Sequence, residues 1–237
     1  MEISNIKPKV RLLKDMKEVL FDEELAKISP DLELYYMYRD LAENEQDRKK
    51  IKEHKLRYDI TVINPVMLGK EYNKTAGHDH PMVPETNITY PELYEVLEGK
   101  AIFFMQDSEE NSIKDVYAIK ANKGDKIIVP PNYEHIIINA SEEKLKTANW
   151  VCDFPENIYK PFKDKQGFSY YAINNGSGEI EWIKNENYID TPELKFLSPN
   201  LWLEKFGIDK NKEMYSLIED LNKLDFLKNP QNYKWEE

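Results

Sequence analysis

Three of the chain's four histidines fall in two short stretches, and that placement limits how the polypeptide can run. The first stretch is Thr75-Ala76-Gly77-His78-Asp79-His80. The second is Gly124-Asp125-Lys126-Ile127-Ile128-Val129-Pro130-Pro131-Asn132-Tyr133-Glu134-His135. On a strand, residues i and i+2 face the same way, so the imidazoles of His78 and His80 reach toward one point. Imidazole is the commonest side-chain ligand of transition metals. The tight turns set up by Gly124 and Pro130-Pro131 bring a third imidazole, His135, back beside them. A carboxylate completes such a set. Glu92 opens a strand-like run over 92–97 that ends at Gly99, and a strand fixes a carboxylate better than the loop 81–85 does. Glu92 is therefore favoured, with Glu85 as the alternative. An isolated His-x-His would read as two surface histidines on a hairpin. The carboxylate, with His135 ahead of Asn139, makes metal binding the stronger reading.

Composition narrows the partners. A formal net charge of −11 argues against nucleic acid and anionic membranes. It also requires any anionic substrate to find local positive potential, from a metal ion or from oriented backbone N–H groups. The single cysteine, Cys152, forms no internal disulfide and suits a reducing compartment. The N-terminus has no apolar leader and no run is long enough to span a membrane, so a cytoplasmic protein is expected. Lysine and asparagine greatly outnumber arginine and glycine, which reads as genome composition.

Taken in order, Asp15 is expected to cap a short helix over 16–21, and 32–38 reads as a strand whose tyrosines face a pocket or the core. The densely charged 39–55 is a solvated excursion, and His54 at its end has no partner motif. Short strands follow at 58–63, along the His78–His80 stretch, and at 92–97, 101–106, 115–120, 126–129, 135–139, 145–153, 168–173 and 179–183. Turns separate them near Leu68-Gly69-Lys70, over 107–112 and over 122–124. Even spacing of this kind predicts a sandwich or barrel. The tail switches to helical period. Ser198-Pro199 starts one helix and Gly207 stops it; Asp209 caps a second, with Met214, Leu217, Ile218, Leu221 and Leu224 on one stripe and Pro230 at its end. The expected organisation is one domain, with an N-terminal extension (1–57), a barrel (58–185) and a helical appendage (186–237).

These residues resemble the cupin superfamily, whose signatures are Gly…His-x-His…Glu-x6-Gly and Gly-x5-Pro-x-Gly-x2-His-x3-Asn. Glu92 to Gly99 matches the end of the first. Gly124, Pro130, His135 and Asn139 match the second, with Asn132 in place of a glycine. Thr75-Ala76-Gly77-His78-Asp79-His80, Glu92-Leu93-Tyr94 and Val129-Pro130-Pro131 are similar to the cupin-type glucose-6-phosphate isomerases. That likeness extends over roughly residues 9–185 and includes Tyr58-Asp59-Ile60-Thr61-Val62-Ile63.

The resemblance implies a mainly β fold, the cupin double-stranded β-helix or jelly-roll barrel, with C-terminal α-helices outside it. It implies one divalent metal on His78, His80, Glu92 and His135, Fe²⁺ foremost, with Mn²⁺, Ni²⁺ and Zn²⁺ also suited. It implies a phosphosugar substrate whose phosphate meets Thr61, Thr75 and Gly77, with Tyr94 and Tyr35 near the sugar, and a homodimer. The implied reaction interconverts glucose 6-phosphate and fructose 6-phosphate, as in glycolysis and gluconeogenesis. The metal acts as Lewis acid, and Glu92 moves a proton between C1 and C2 or the reaction runs by hydride shift. The His80-to-Glu92 gap is longer than in the relatives, and 39–55 looks inserted. After Asn139 the family carries a further tyrosine and a histidine lining the pocket; the nearby residues here are Trp150, Val151 and Asn157, so those roles do not transfer. An Fe(II) dioxygenase and a non-catalytic sugar- or metal-binding cupin are the alternatives.

Overall fold

A computed structural model of the chain describes residues 1–109, 112–154 and 158–235. Period-2 alternation yields fourteen strands among them. They are β1 (Lys9–Leu12), β2 (Glu33–Tyr38), β3 (Leu56–Ile63), β4 (Met67–Leu68), β5 (Glu71–Lys74), β6 (Glu92–Glu98) and β7 (Lys100–Glu109). Then come β8 (Ser112–Asn122), β9 (Lys126–Val129), β10 (Glu134–Asn139), β11 (Leu145–Cys152), β12 (Tyr170–Asn174), β13 (Ile180–Lys184) and β14 (Lys195–Leu197). One sheet has the order β1-β2-β3-β11-β6-β9; the other runs β13-β12-β5-β10-β7-β8-β14, with β4 also on β5. Neighbours are antiparallel except β14, which lies parallel to β8. The chain crosses repeatedly between sheets, from β6 to β7, from β9 to β10 and from β10 to β11. This is the winding of a jelly-roll barrel, and the fold is the expected mainly β double-stranded β-helix.

Side chains from both inner faces fill the barrel, among them Phe103, Phe104, Ile136, Ile138, Val96 and Phe168, all buried. A 3₁₀ turn over Leu13–Val19 closes one side by burying Leu13, Met16 and Val19. Asp15 caps that turn from within its first residues, accepting the Leu12 N–H at 3.0 Å. Of the helices, α1 (Leu25–Ile28) is a single turn and α2 (Glu45–Glu53) carries the charged excursion. Asn44 caps α2 by accepting from the Asp47 N–H at 2.9 Å, and its Ile51 is buried. The turn expected over 107–112 is shorter than expected, since β7 continues to Glu109 and β8 resumes at Ser112. Its Glu110 and Asn111 lie outside the described residues. Among the described residues no helix is long and apolar enough to cross a membrane.

The C-terminal helical pattern takes the form of 3₁₀ turns, over Glu204–Phe206, Met214–Glu219, Leu221–Leu227 and Pro230–Asn232, rather than α-helices. Asp220, with φ −144 and ψ 81, breaks the stripe into pieces too short for an α-helix to propagate. These turns cover the outer face of the first sheet. Tyr58, Ile60, Leu93, Ile128 and Trp150 of the sheet share a second apolar core with Phe206, Met214, Leu221, Leu224 and Phe226. That sheet is thus buried on both faces, with Tyr58 and Ile60 of β3 turned to the outer core and Asp59 and Thr61, also buried, on its other face.

A buried ion pair pins the tail in place. Lys126 Nζ lies 3.1 Å from Glu95 Oε1, and it also donates to the carbonyls of Gly124 and Lys210. Glu95 Oε2 accepts the Met214 N–H at 2.7 Å. Removing one member of such a pair strands the other charge in a desolvated site. Glu95→Ala is expected to lower unfolding free energy by about 3–5 kcal/mol in urea denaturation and to expose the 204–227 segment to protease.

Candidate metal centre and its cavity

The His-x-His stretch does not lie on a regular strand. It continues past the end of β5 as an extended segment held against β10. Thr75 N–H donates to the Ile137 carbonyl at 2.9 Å, and His78 and His135 exchange backbone hydrogen bonds at 3.4 and 3.3 Å. Asp79 bridges Ile158 on the other side. The extended backbone preserves the i, i+2 relation, so both imidazoles still face inward. Gly77 makes this course possible. Its φ is +76, and a Cβ there would fall 2.2 Å from the Phe168 ring and 2.5 Å from Ile136.

Glu92 is the first residue of β6, flanked by Val151 of β11 and Val129 of β9. Alternation along β6 sends Glu92, Tyr94 and Val96 into the barrel and Leu93 and Glu95 outward. The turn before β10 contains Asn132 at φ 67, where the cupin pattern has glycine. Asparagine tolerates that region, and here it is fixed twice. Its side-chain oxygen accepts the Thr89 N–H at 3.0 Å and its N–H donates to Thr89 Oγ1 at 2.6 Å.

The chain thus brings His78, His80, Glu92 and His135 together, with one ligand atom from each lying within 4.8 Å of the others. Glu92 Oε2 is 3.1 Å from His80 Nε2, 3.3 Å from His135 Nε2 and 3.9 Å from His78 Nε2. Glu85, the alternative carboxylate, is exposed in a loop at φ 63 and outside this group.

The donors suit a cation. His80 Nδ1 donates to the Tyr90 carbonyl at 2.6 Å, which fixes the tautomer and leaves Nε2 with a bare lone pair. That lone pair faces His78 Nε2 at 3.0 Å. Burial and the nearby His135 hold His78 down to about 3, so it stays neutral at physiological pH. Burial likewise lowers His135. Burial alone would raise Glu92, but His135, His78 and His80 outweigh it and keep the carboxylate well below its usual range. Glu92 Oε2 is buried without a hydrogen-bond partner. Three imidazoles and an ionised carboxylate converging on one point are a set that a divalent transition metal satisfies.

The cluster opens into a narrow cleft lined also by Thr61, Thr75, Gly77, Tyr94 and Tyr35. Thr75 Oγ1 accepts the Ile137 N–H at 3.0 Å, so its hydroxyl proton is free to donate. Tyr35 accepts from Arg11 Nε and from the Ala76 N–H, each at 3.2 Å, tying β1 and β2 to the 75–77 turn. Tyr94 Oη lies 2.9 Å from His135 Nε2; burial first, then Glu92, keeps this phenol protonated. Val151, Phe154 and Tyr159 complete the wall. Trp150 instead faces the outer core, and Asn157 lies outside the described residues.

The sequence reading missed the arginines. Arg11, Arg39 and Arg57 all face this cleft, so its positive potential does not depend on a metal and backbone N–H groups alone. The available signal was strand parity, with Arg57, Asp59 and Thr61 sharing one face of β3.

Comparison with known proteins follows the same residues. A family model described as glucose-6-phosphate isomerase matches residues 10–190. The glucose-6-phosphate isomerase of Thermococcus onnurineus is 29% identical over 189 residues, covering 78% of this chain and 90% of that protein. That of Pyrococcus furiosus is 28% identical over 187 residues, with the same two coverages. That of Thermococcus litoralis is 30% identical over 141 residues, covering 60% of this chain and 67% of its own. The family match stops before the C-terminal 3₁₀ turns.

Two expectations follow. After chelation and dialysis, adding Fe²⁺, Mn²⁺, Ni²⁺ or Zn²⁺ at large excess over Kd should raise the thermal midpoint by on the order of 10 °C. His135→Ala should abolish that rise. Gly77→Ala should cost roughly 2–5 kcal/mol, from the left-handed backbone and the collision with Phe168, measured by thermal denaturation.

Proposed function

The chain belongs to the glucose-6-phosphate isomerase family, and on that premise we propose that it interconverts glucose 6-phosphate and fructose 6-phosphate. The observation that carries the reading is the convergence of His78, His80, His135 and Glu92 at the inner end of one cleft. A second requirement is met beside it, since a phosphate dianion finds cationic and hydroxyl donors in a protein of net charge −11.

His78, His80, Glu92 and His135 would hold one divalent metal, which when bound supplies Lewis-acid polarisation of the sugar carbonyl. The chain's own groups do the rest. Arg11, the Thr75 hydroxyl, Thr61 and the backbone at Gly77 take the phosphate, with Tyr35 holding Arg11 and the 75–77 turn in register. Anchoring that end fixes the first two carbons of the open-chain sugar, so remote binding serves orientation. While the proton of the C2 hydroxyl passes to the C1 oxygen, Glu92 removes the C2 proton of the aldose and returns a proton at C1. Its ionised state makes it competent to accept. Tyr94, kept protonated, offers an O–H beside the same carboxylate. Phe154 and Tyr159 help screen the reacting carbons from water.

Glu92→Gln should lower kcat/KM by about 10²–10⁴, the range of a lost general base. The assay follows fructose 6-phosphate to glucose 6-phosphate with metal-reconstituted protein, with mannose 6-phosphate run in parallel. Turnover within a fewfold of the unmodified protein would remove Glu92 from the proton transfer.

A further inference from the structure

The C-terminal turns cover the first sheet without filling all the space above it. A cavity of about 310 Å³ remains beside Glu95, on the face of β6 opposite Glu92 and Tyr94. That volume is at the lower end of the range for small-molecule sites. Part of its wall is residues 210–213 and Tyr215, beyond the family match that ends at residue 190. The Lys126–Lys210 and Glu95–Met214 contacts hold this part of the tail over the sheet.

The wall is basic in an acidic protein. Lys123, Lys126, Lys146, Lys210 and Lys212 line it together with Glu95 and Glu213. Lys126 and Glu95 balance each other, and Lys146 stands 3.3 Å from Glu98. The Met1 amino group, also in the wall, stands 3.7 Å from Glu43. Lys123, Lys210 and Lys212 have no ion-pair partner among the described residues and are set against the single carboxylate of Glu213. Asp125 and Asp209 are near in sequence but outside the wall. Their carboxylates accept from Asn200 Nδ2 at 2.8 Å and from the Asn211 N–H at 2.9 Å. Three like charges around one opening repel one another, and an anion with more than one charge relieves that repulsion.

Tyr58 adds a neutral donor. It is 2% exposed, and its ring is wedged between Trp150 and Tyr215, at centroid distances of 4.7 and 4.9 Å. It lines the cavity, yet its hydroxyl has no hydrogen-bond partner among the described residues. Burial first, then Glu95, keeps this phenol protonated. A phenol in so enclosed a position ordinarily has a partner.

We propose that this cavity binds a small phosphate ester, with the phosphoryl group among Lys123, Lys210 and Lys212 and an ester oxygen accepting from the Tyr58 hydroxyl. Lysine binds phosphate as a point charge, so three of them need no fixed fork geometry. A phosphate monoester brings close to two negative charges, where a carboxylate brings one. The bound ester ties the 210–215 segment to β3 and lies apart from the metal-centre cleft.

The test uses the metal-loaded full chain carrying Arg11→Gln, which weakens phosphate binding in the cleft. Titration calorimetry with glycerol 3-phosphate should show one equivalent bound. Adding Lys210→Gln together with Lys212→Gln should weaken that binding at least tenfold. Adding Tyr58→Phe should weaken it about fivefold and leave the ligand-free thermal midpoint unchanged, because the hydroxyl has no protein partner to lose. Glycerate, with a carboxylate in place of the phosphate, should bind at least tenfold more weakly than glycerol 3-phosphate. Saturating glycerol 3-phosphate should slow protease cleavage within 204–227, and the paired lysine variant should lose that protection while keeping its midpoint. Absence of binding, or equal affinity in the folded lysine variant, overturns the site. Full affinity in Tyr58→Phe, with loss in the lysine variant, reduces it to unspecific charge attraction and overturns it as well. Each of these failures leaves the isomerase reading standing, since turnover of the unmodified protein decides that separately.

Discussion

The exchange of backbone hydrogen bonds between His78 and His135 is the constraint from which the site follows. It joins the segment after β5 to the start of β10 at the level where two imidazoles must meet. Gly77 permits the approach on one side, since any side chain there would collide with Phe168 and Ile136. Asn132 turns the chain into β10 on the other, with Thr89 securing it. His80 and Glu92 then arrive by local rules. The first is two residues along an extended backbone, and the second is the opening residue of a strand paired on both edges.

Electrostatics at this point invert the character of the whole molecule. The surface is strongly acidic, yet the cleft draws together three guanidiniums and a ligand set suited to a divalent cation. Low local dielectric makes such charges count for more inside the cleft than the same charges on the surface. Asp59 and Glu92 prevent the concentration of positive charge from becoming prohibitive, and each is fully enclosed by its partners. An acidic exterior therefore need not exclude an anionic ligand.

Much of this was readable before any coordinates. Alternation marked most strands, and the resemblance to the paired signatures joined His78, His80 and His135 to Glu92. Asn132 was visible as a departure, and its left-handed backbone shows why the departure is tolerated. What stayed hidden depended on knowing which face of a strand looks inward. Arg39 closes a strand and opens a charged segment, so by pattern alone it belonged with the solvated residues around it. Arg57 is equally ambiguous until β3 is known to be covered on both sides. The tail was recognisable as helical in period, but pattern does not distinguish one continuous helix from short turns broken at Asp220.

The double burial of β6 carries an evolutionary consequence. Its successive side chains serve two different interiors, with Glu92 and Tyr94 on one side and Leu93 and Glu95 on the other. Inserting or deleting one codon between them would exchange the two sets at a stroke, putting leucine among the imidazoles and a carboxylate into the greasy seam. Lineages of this protein are therefore free to lengthen the loop between His80 and Glu92 but not the strand that follows it. The eleven residues between His80 and Glu92 lie on the permitted side of that boundary.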